Sequence, residues 1–308
     1  MKKKALSLIL SAAMALSLTV VPASAVSVSN FSDVSSDSWY YDSVRYVAEK
    51  DYMNGTSATT FEPNSDMTRA MFATLISRVA GAEVDNSAAS EFTDVVSGQW
   101  YTGAIEWGVE NELITGYGNG LFGTNDSITR QDIAVLTQRF LDWYCAENNK
   151  SLNFEPLVEN FTDADSIADY AQEAVEFCRE AGLLTGYEDG SFRPLGTATR
   201  AEIAAIVERI EFIMESASPA VVYTDTEGNR ATLEIAAGDV ITVDPNNGSV
   251  TYDGTTHRDE FTITATEEGI TLPDATRSGY RFDGWKVETD ANGAYMKTLQ
   301  RPRAKKIF

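Results

Sequence analysis

A Thr-Arg pair occurs at Thr68-Arg69, Thr129-Arg130 and Thr199-Arg200, each time at the head of a run with apolar residues every three to four positions. Each pair belongs to a longer unit that opens with Phe-x-Asp: Phe31-Ser-Asp33, Phe92-Thr-Asp94 and Phe161-Thr-Asp163. The first two units are offset by 61 residues and the last two by 69–70, so whole segments recur. A unit of this size cannot bury a helix pair alone, and three copies are expected to share one core. A compact pseudo-threefold monomer would then need no other subunit.

Ahead of the repeats stand Lys2, Lys3 and Lys4, an apolar run from Ala5 to Val21, and Ala23-Ser24-Ala25. That order of basic, apolar and small residues is the pattern of a secretory signal peptide over 1–25, cleaved after Ala25. No later stretch is apolar for long enough to span a bilayer, so no membrane insertion is expected after cleavage. The remaining 21 basic residues face 46 acidic ones, a net charge of about −25 that would repel a nucleic acid. An anionic partner would have to be recognised by local cationic pockets. Cys145 and Cys178 are the only cysteines and fall at helical positions in different repeats. One disulfide is conceivable, but buried free thiols fit two isolated cysteines better. With His257 the single histidine, zinc sites and Ser-His or Cys-His pairs lack their other members. No cofactor or metal is expected; Asp163-Ala-Asp165 lacks the glycine and distal glutamate of a calcium loop.

Each unit reads as helix, turn-rich loop, helix. Val44, Val47 and Ala48, then Ile105 and Val109, then Val175 and Cys178, each share a face of a first helix that follows Trp39-Tyr40, Trp100-Tyr101 or Tyr170-Ala171. Gly55, Gly116 and Gly186 are placed to stop those helices as left-handed C′ residues. Gly118, Gly120 and Gly190 mark turns that need a positive φ. Thr68, Thr129 and Thr199 cap the second helices, and Asp132 and Glu202 are placed to complete capping boxes, where Met71 stands in the first copy. Polar connectors run over Gly81–Ser90 and Ala146–Glu159. These readings divide the chain into repeats at 30–87, 88–150 and 157–216. From Val221 the period changes to short Thr/Val/Ile-rich runs separated by Asn247-Gly248 and Asp253-Gly254, which predicts a small β-rich module over 221–293. The tail 294–308 is basic and acid-free, and reads as a truncated or frame-disturbed end.

A helix N-terminus disfavours a cation in its first turn by about 0.3–1 kcal/mol. Three arginines there suggest a carboxylate partner for each. It could be internal, with Asp33, Asp94, Asp163 or a capping-box acid making a structural clamp. It could equally be an external carboxylate held by the guanidinium fork and backbone N–H groups. Trp39 and Trp100 carry the same ambiguity between a cap over the core and a sugar platform with one exposed edge, while Trp107 and Trp143 fit interior helix faces.

Phe-x-Asp-Val, Trp-Tyr, the glycine, Phe-x-Pro and Thr-Arg-Ala-Glu, recurring in order over residues 31–210, resemble the surface-layer homology (SLH) family. The resemblance implies a mainly α N-terminal domain of three helix-loop-helix repeats about a central axis. It also implies non-covalent anchoring of an exported protein to the bacterial cell wall by an anionic, pyruvylated secondary cell-wall polysaccharide. Arg69, Arg130 and Arg200 would contact that ligand with aromatic support from Trp39 and Trp100. Asp33, Asp94, Asp163, Thr68, Thr129 and Thr199 would support them. The chain departs from the pattern at Met71, at Gln131-Asp132, and at Tyr170, which stands where a tryptophan is expected. Gly269-Ile-Thr-Leu-Pro273 and Arg277 to Trp285 are similar to the internalin-type B-repeat, a β-grasp module of bacterial surface proteins, which here would project as a spacer or adhesive element. The expected protein is a monomeric, secreted, wall-attached binding protein and not an enzyme. A lattice-forming surface-layer subunit and the anchor portion of a wall-polysaccharide hydrolase are the alternatives.

Overall fold

The computed structural model describes residues 27–155, 157, 159–278, 280–290 and 293–302; the expected signal peptide and the last residues of the tail lie outside them. Among the described residues six α-helices come in three pairs. They are α1 (Tyr41–Glu49) and α2 (Arg69–Val79), α3 (Thr102–Glu110) and α4 (Arg130–Asn148), and α5 (Gln172–Glu180) and α6 (Arg200–Ser216). The second helix of each pair starts where the sequence places it, because a threonine hydroxyl accepts an otherwise orphaned N–H: Thr68 from Met71, Thr129 from Asp132 and Thr199 from Glu202.

The first helices end differently from the glycine expectation. The left-handed residues are Asp51, Glu112 and Gly182, at φ 58°, 61° and 66°. Gly55, Gly116 and Gly186 lie several residues further on and serve close packing. A Cβ there would sit 2.5, 2.4 and 2.8 Å from Cε1 of Phe31, Phe92 and Phe161 respectively. Gly118, Gly120 and Gly190 do adopt positive φ, at 79°, 80° and 76°.

The loops between paired helices share one construction. Phe31, Phe92 and Phe161 pack on Phe61, Phe122 and Phe192, with ring centroids 5.5, 5.8 and 5.1 Å apart. Glu62, Gly123 and Arg193 follow those second phenylalanines in the left-handed region, at φ 57°, 83° and 56°. The Phe-x-Asp carboxylate holds this turn by accepting two successive N–H groups. Asp33 takes those of Phe61 and Glu62, Asp94 those of Phe122 and Gly123, and Asp163 those of Phe192 and Arg193. A charged acceptor on two amides offsets the strain of about 1–3 kcal/mol that a non-glycine residue carries there.

Backbone contacts run from each unit to the next and back to the first. Bridges join Thr68 to Ser127, Thr129 to Thr197 and Thr199 to Asp66. The first two N–H groups of each second helix donate across the same junctions: Arg69 and Ala70 to Asp126 and Thr124, Arg130 and Gln131 to Gly196 and Pro194, Arg200 and Ala201 to Ser65 and Pro63. Helix α1 also meets α6, where the Tyr46 and Tyr52 hydroxyls donate to Glu211. One apolar cluster spans all three units, from Val28 to Ile213.

After α6 the chain is built of strands, giving a mixed helix-and-sheet protein. Strand β2 (Ser218–Thr224) pairs with β3 (Arg230–Glu234) antiparallel and with β8 (Ile270–Thr271) in parallel. A second sheet has the order β7-β4-β10-β9, formed by β4 (Val240–Asp244), β7 (Phe261–Thr264), β9 (Tyr280–Asp290) and β10 (Gly293–Pro302). Its central pair, β4 with β10, is parallel. A hairpin of β5 (Val250–Tyr252) and β6 (Thr255–His257) turns at Asp253-Gly254, both at positive φ. These strands enclose their own core around Trp285, Val243 and Met296.

Two expectations are corrected here. The polar segment from Ala146 is not all connector: α4 continues to Asn148, and strand β1 (Lys150–Ser151) adds to the edge of β2. Likewise the start of the basic tail, set apart from the β-rich module after residue 293, continues its sheet. Residues 293–302 form β10, with Ala294 and Met296 buried between β4 and β9. Both cysteines are free and buried; Cys178 Sγ lies 3.6 Å from the Ala134 carbonyl oxygen, and burial pushes the Cys145 thiol up to about 12.

Candidate functional site

The helix-start arginines lie in the junctions between repeats. Arg69, Arg130 and Arg200 are only 6%, 4% and 7% exposed. Each guanidinium reaches into the loop of the next unit in the ring and donates to two carbonyls. Arg69 uses Nε on Phe122 O (2.9 Å) and Nη2 on Thr115 O (3.4 Å). Arg130 does the same on Phe192 O (2.7 Å) and Thr185 O (3.1 Å), and Arg200 on Phe61 O (2.8 Å) and Asn54 O (2.7 Å). The phenylalanine peptide is therefore gripped from both sides, its N–H by the aspartate of its own repeat and its C=O by the arginine of the neighbour.

This corrects the expected pairing. Asp33, Asp94 and Asp163 are spent on loop amides and are not ion-pair partners of the arginines. The N–H groups that start each helix are spent on the neighbouring repeat, so they are not free to hold a ligand. Two carbonyls offset the helix-start penalty at each arginine, and a carboxylate, Asp132, is added at Arg69 alone among the described residues. The clamp is real, but it engages only the Nε–Nη2 edge. Nη1 of Arg130 and of Arg200 has no ion-pair partner among the described residues. Ring faces support the cations: Arg69 lies 4.7 Å from Tyr117 and Arg130 4.8 Å from Tyr187, with Phe122, Phe192 and Phe61 beneath the three in turn. Burial pushes the Arg200 guanidinium below its ordinary value, against the pull of nearby Glu62 and Asp33.

Two grooves are lined by these arginines. One, about 200 Å³, is lined by Arg130, Arg209, Thr185, Tyr187, Glu202 and Trp39, so all three repeats contribute. The other, about 400 Å³, is lined by Arg69, Arg139, Thr115, Tyr117, Asp132 and Tyr170. Trp39 is 68% exposed and packs edge-on to Tyr40 at the mouth of the first groove. Trp100 is 52% exposed beside Tyr101 and lines neither groove. Both tryptophans thus present far more than one edge to solvent. Trp107 and Trp143 are half-buried at the rim of the core, edge-to-face at 5.3 Å, with the Trp143 indole N–H donating to Asn111.

Sequence reasoning missed a second triplicated arginine. Arg78, Arg139 and Arg209 lie nine residues after the first in each helix and donate to Tyr52 O, Leu113 O and Leu183 O of their own repeats. The signal was the same pair of offsets that revealed the Thr-Arg motif. Arg139 and Arg209 bring a second cation to their grooves without an ion-pair partner among the described residues.

The expected capping boxes diverge. Glu202 completes one, accepting from Thr199 N–H at 2.7 Å and from its hydroxyl at 3.0 Å. Asp132, one methylene shorter, does not reach back to Thr129. It turns into the groove, 3.4 Å from Arg69 Nη1, and accepts the Tyr170 hydroxyl at 2.9 Å. Burial and that hydrogen bond push the Tyr170 phenol up to about 12, so it remains a donor.

The S-layer homology domain model matches the chain three times, at residues 30–73, 91–134 and 160–204, so the chain carries three S-layer homology domains. It is 33% identical over 258 residues to an endoglucanase of Bacillus sp. strain KSM-635, covering 82% of this chain and 26% of that protein. Identity is 31% over 192 residues to the S-layer protein sap of Bacillus anthracis, covering 62% and 22%. It is 31% over 163 residues to a cellulosome-anchoring protein of Acetivibrio thermocellus, covering 51% and 35%. The chain thus spans about a third or less of the length of these relatives. With these domains and S-layer relatives, it is a secreted, wall-associated protein of the cell surface. Among the described residues no helix is long and apolar enough to cross a membrane.

Proposed function

We propose that the three repeats form a pseudo-threefold bundle that anchors the protein non-covalently to the bacterial cell wall, without catalysis, by binding an anionic secondary cell-wall polysaccharide. The carrying observation is a groove with two guanidinium groups, Arg130 and Arg209, and no ion-pair partner for either among the described residues, in a chain of net charge −22. Such a pocket favours a ligand carboxylate, and a pyruvate ketal on a sugar supplies one beside C–H faces suited to Trp39. The cyclic contacts from Thr68, Thr129 and Thr199 support the threefold reading. The cellulosome-anchoring relative supports attachment as the role of this region. Several attachment points on one polymer would add by avidity. The mixed sheet with its parallel β4–β10 centre supports a β-grasp-like module similar to the B-repeat, set as a spacer or adhesive element.

The test is co-sedimentation of the secreted protein with purified sacculi, before and after mild acid removal of pyruvate ketals. Retention that disappears with the ketals is the expected result. Retention by ketal-free sacculi at the same level would refute the carboxylate reading and leave only a general wall affinity.

A further inference from the structure

Two departures from the repeat pattern look unrelated in sequence, an aspartate in place of glutamate in the second repeat and a tyrosine in place of tryptophan in the third. They meet in one groove. Tyr170 Oη donates to Asp132 Oδ1 at 2.9 Å, Gln131 Nε2 donates to Tyr170 Oη at 2.8 Å, and Asp132 Oδ2 lies 3.4 Å from Arg69 Nη1. Arg69 and Asp132 side chains are 7% and 19% exposed, so this ion pair is inside the groove and not on its rim. In the neighbouring groove the corresponding acid, Glu202, also lines the wall, but its carboxylate is folded back onto the Thr199 cap. The aromatic there is Trp39, whose indole lacks the hydroxyl that steers Asp132.

Resting on the wall-binding reading, we infer that Asp132, positioned by Tyr170, stands in for a ligand carboxylate at Arg69. That groove is thereby closed to anionic glycan, while the Arg130 groove is open to it. A carboxylate entering at Arg69 would have to displace an internal one already desolvated and held by two partners, and two carboxylates on one fork repel each other. Arg130 lines its groove with no such competitor among the described residues. The two grooves consequently differ in occupancy although their arginines are superimposable in role. Removing the acid leaves Arg69 with two carbonyl partners, the arrangement Arg130 and Arg200 have natively. The Thr129 cap is also kept, since it uses the Asp132 backbone N–H.

The test is calorimetric titration of the secreted chain with a 4,6-pyruvyl-ketal glycoside, comparing wild type, Asp132→Asn and Asp132→Ala, with thermal melts to establish folding. Each variant is expected to bind one ligand more than the wild type. The added site should disappear again when Arg139→Gln is combined with Asp132→Asn. Wild-type titration with unchanged stoichiometry in both folded Asp132 variants would overturn the inference while leaving wall binding intact. Silence from wild type and variants alike would overturn both.

Discussion

At the residue scale, the recurring arginine is first a fastener. Its position at a helix start looks unfavourable until the two loop carbonyls are counted, one of them in a buried contact and the other in a half-buried one. Arg130→Ala should lower stability by about 2–4 kcal/mol, since Phe192 O and Thr185 O lose a charged donor together. Urea denaturation would show it, and Arg130→Lys should recover only part of the loss because an ammonium lacks the fork. The aspartates act through charge. Burial raises the Asp94 pKa, but amide donation from Phe122, Thr124 and Gly123 more than offsets it and leaves the carboxyl below its ordinary value. A depressed folded-state pKa contributes stability that is present above the unfolded value, about pH 4, and is lost as pH falls through the folded one. Asp94→Asn should therefore destabilise the protein at neutral pH, and the gap from wild type should narrow on acidification below about pH 4. A pH-independent gap in melting temperature would show that the charge is immaterial.

At the element scale, much of the architecture could be read from the sequence. Helix starts were legible because Thr68, Thr129 and Thr199 carry their caps in the side chain, and the apolar spacing of α2, α4 and α6 did the rest. What failed were features decided by contacts between segments. Gly55, Gly116 and Gly186 resemble helix stops, yet Asp51, Glu112 and Gly182 supply the left-handed residue and the glycines make room for a phenylalanine ring. Gly116→Ala should cost about 1–3 kcal/mol, because its Cβ would meet Phe92 at 2.4 Å and Leu121 O at 2.6 Å, read as a lower urea midpoint. The capping box failed in the second repeat through one methylene in Asp132. As for the site, Arg69, Arg130 and Arg200 were legible by recurrence. Their carbonyl partners were not, since backbone atoms leave no mark in a sequence. Arg78, Arg139 and Arg209 were legible and overlooked.

Across the whole molecule, two cores are joined by a short seam. Strand β1 leaves the second repeat and pairs with β2, and Arg230 bonds Glu147 Oε1 at 2.7 Å and Ala146 O at 2.6 Å. A two-residue strand is too short to give a periodic signal, so nothing in the sequence announced it. The seam is tight at Gly269, where φ is +71° and a Cβ would lie 2.1 Å from Asn149 O and 2.7 Å from Ala220 O. Gly269→Ala should separate the two cores, with proteolysis between residues 149 and 155 accelerated and the melt of the β-rich part lowered. An unchanged cleavage pattern would mean that the seam contributes nothing to docking. The attachment role assigned to the repeats can be checked on the intact chain by sacculus co-sedimentation of Trp39→Ala and Arg209→Gln, each with a thermal melt alongside. Trp39 is so exposed that its loss should shift stability by no more than about 0.5 kcal/mol, and both variants are expected to remain folded yet pellet poorly with ketal-bearing walls. Full retention of both folded variants would contradict binding in the Arg130 groove and move the attachment surface elsewhere on the molecule.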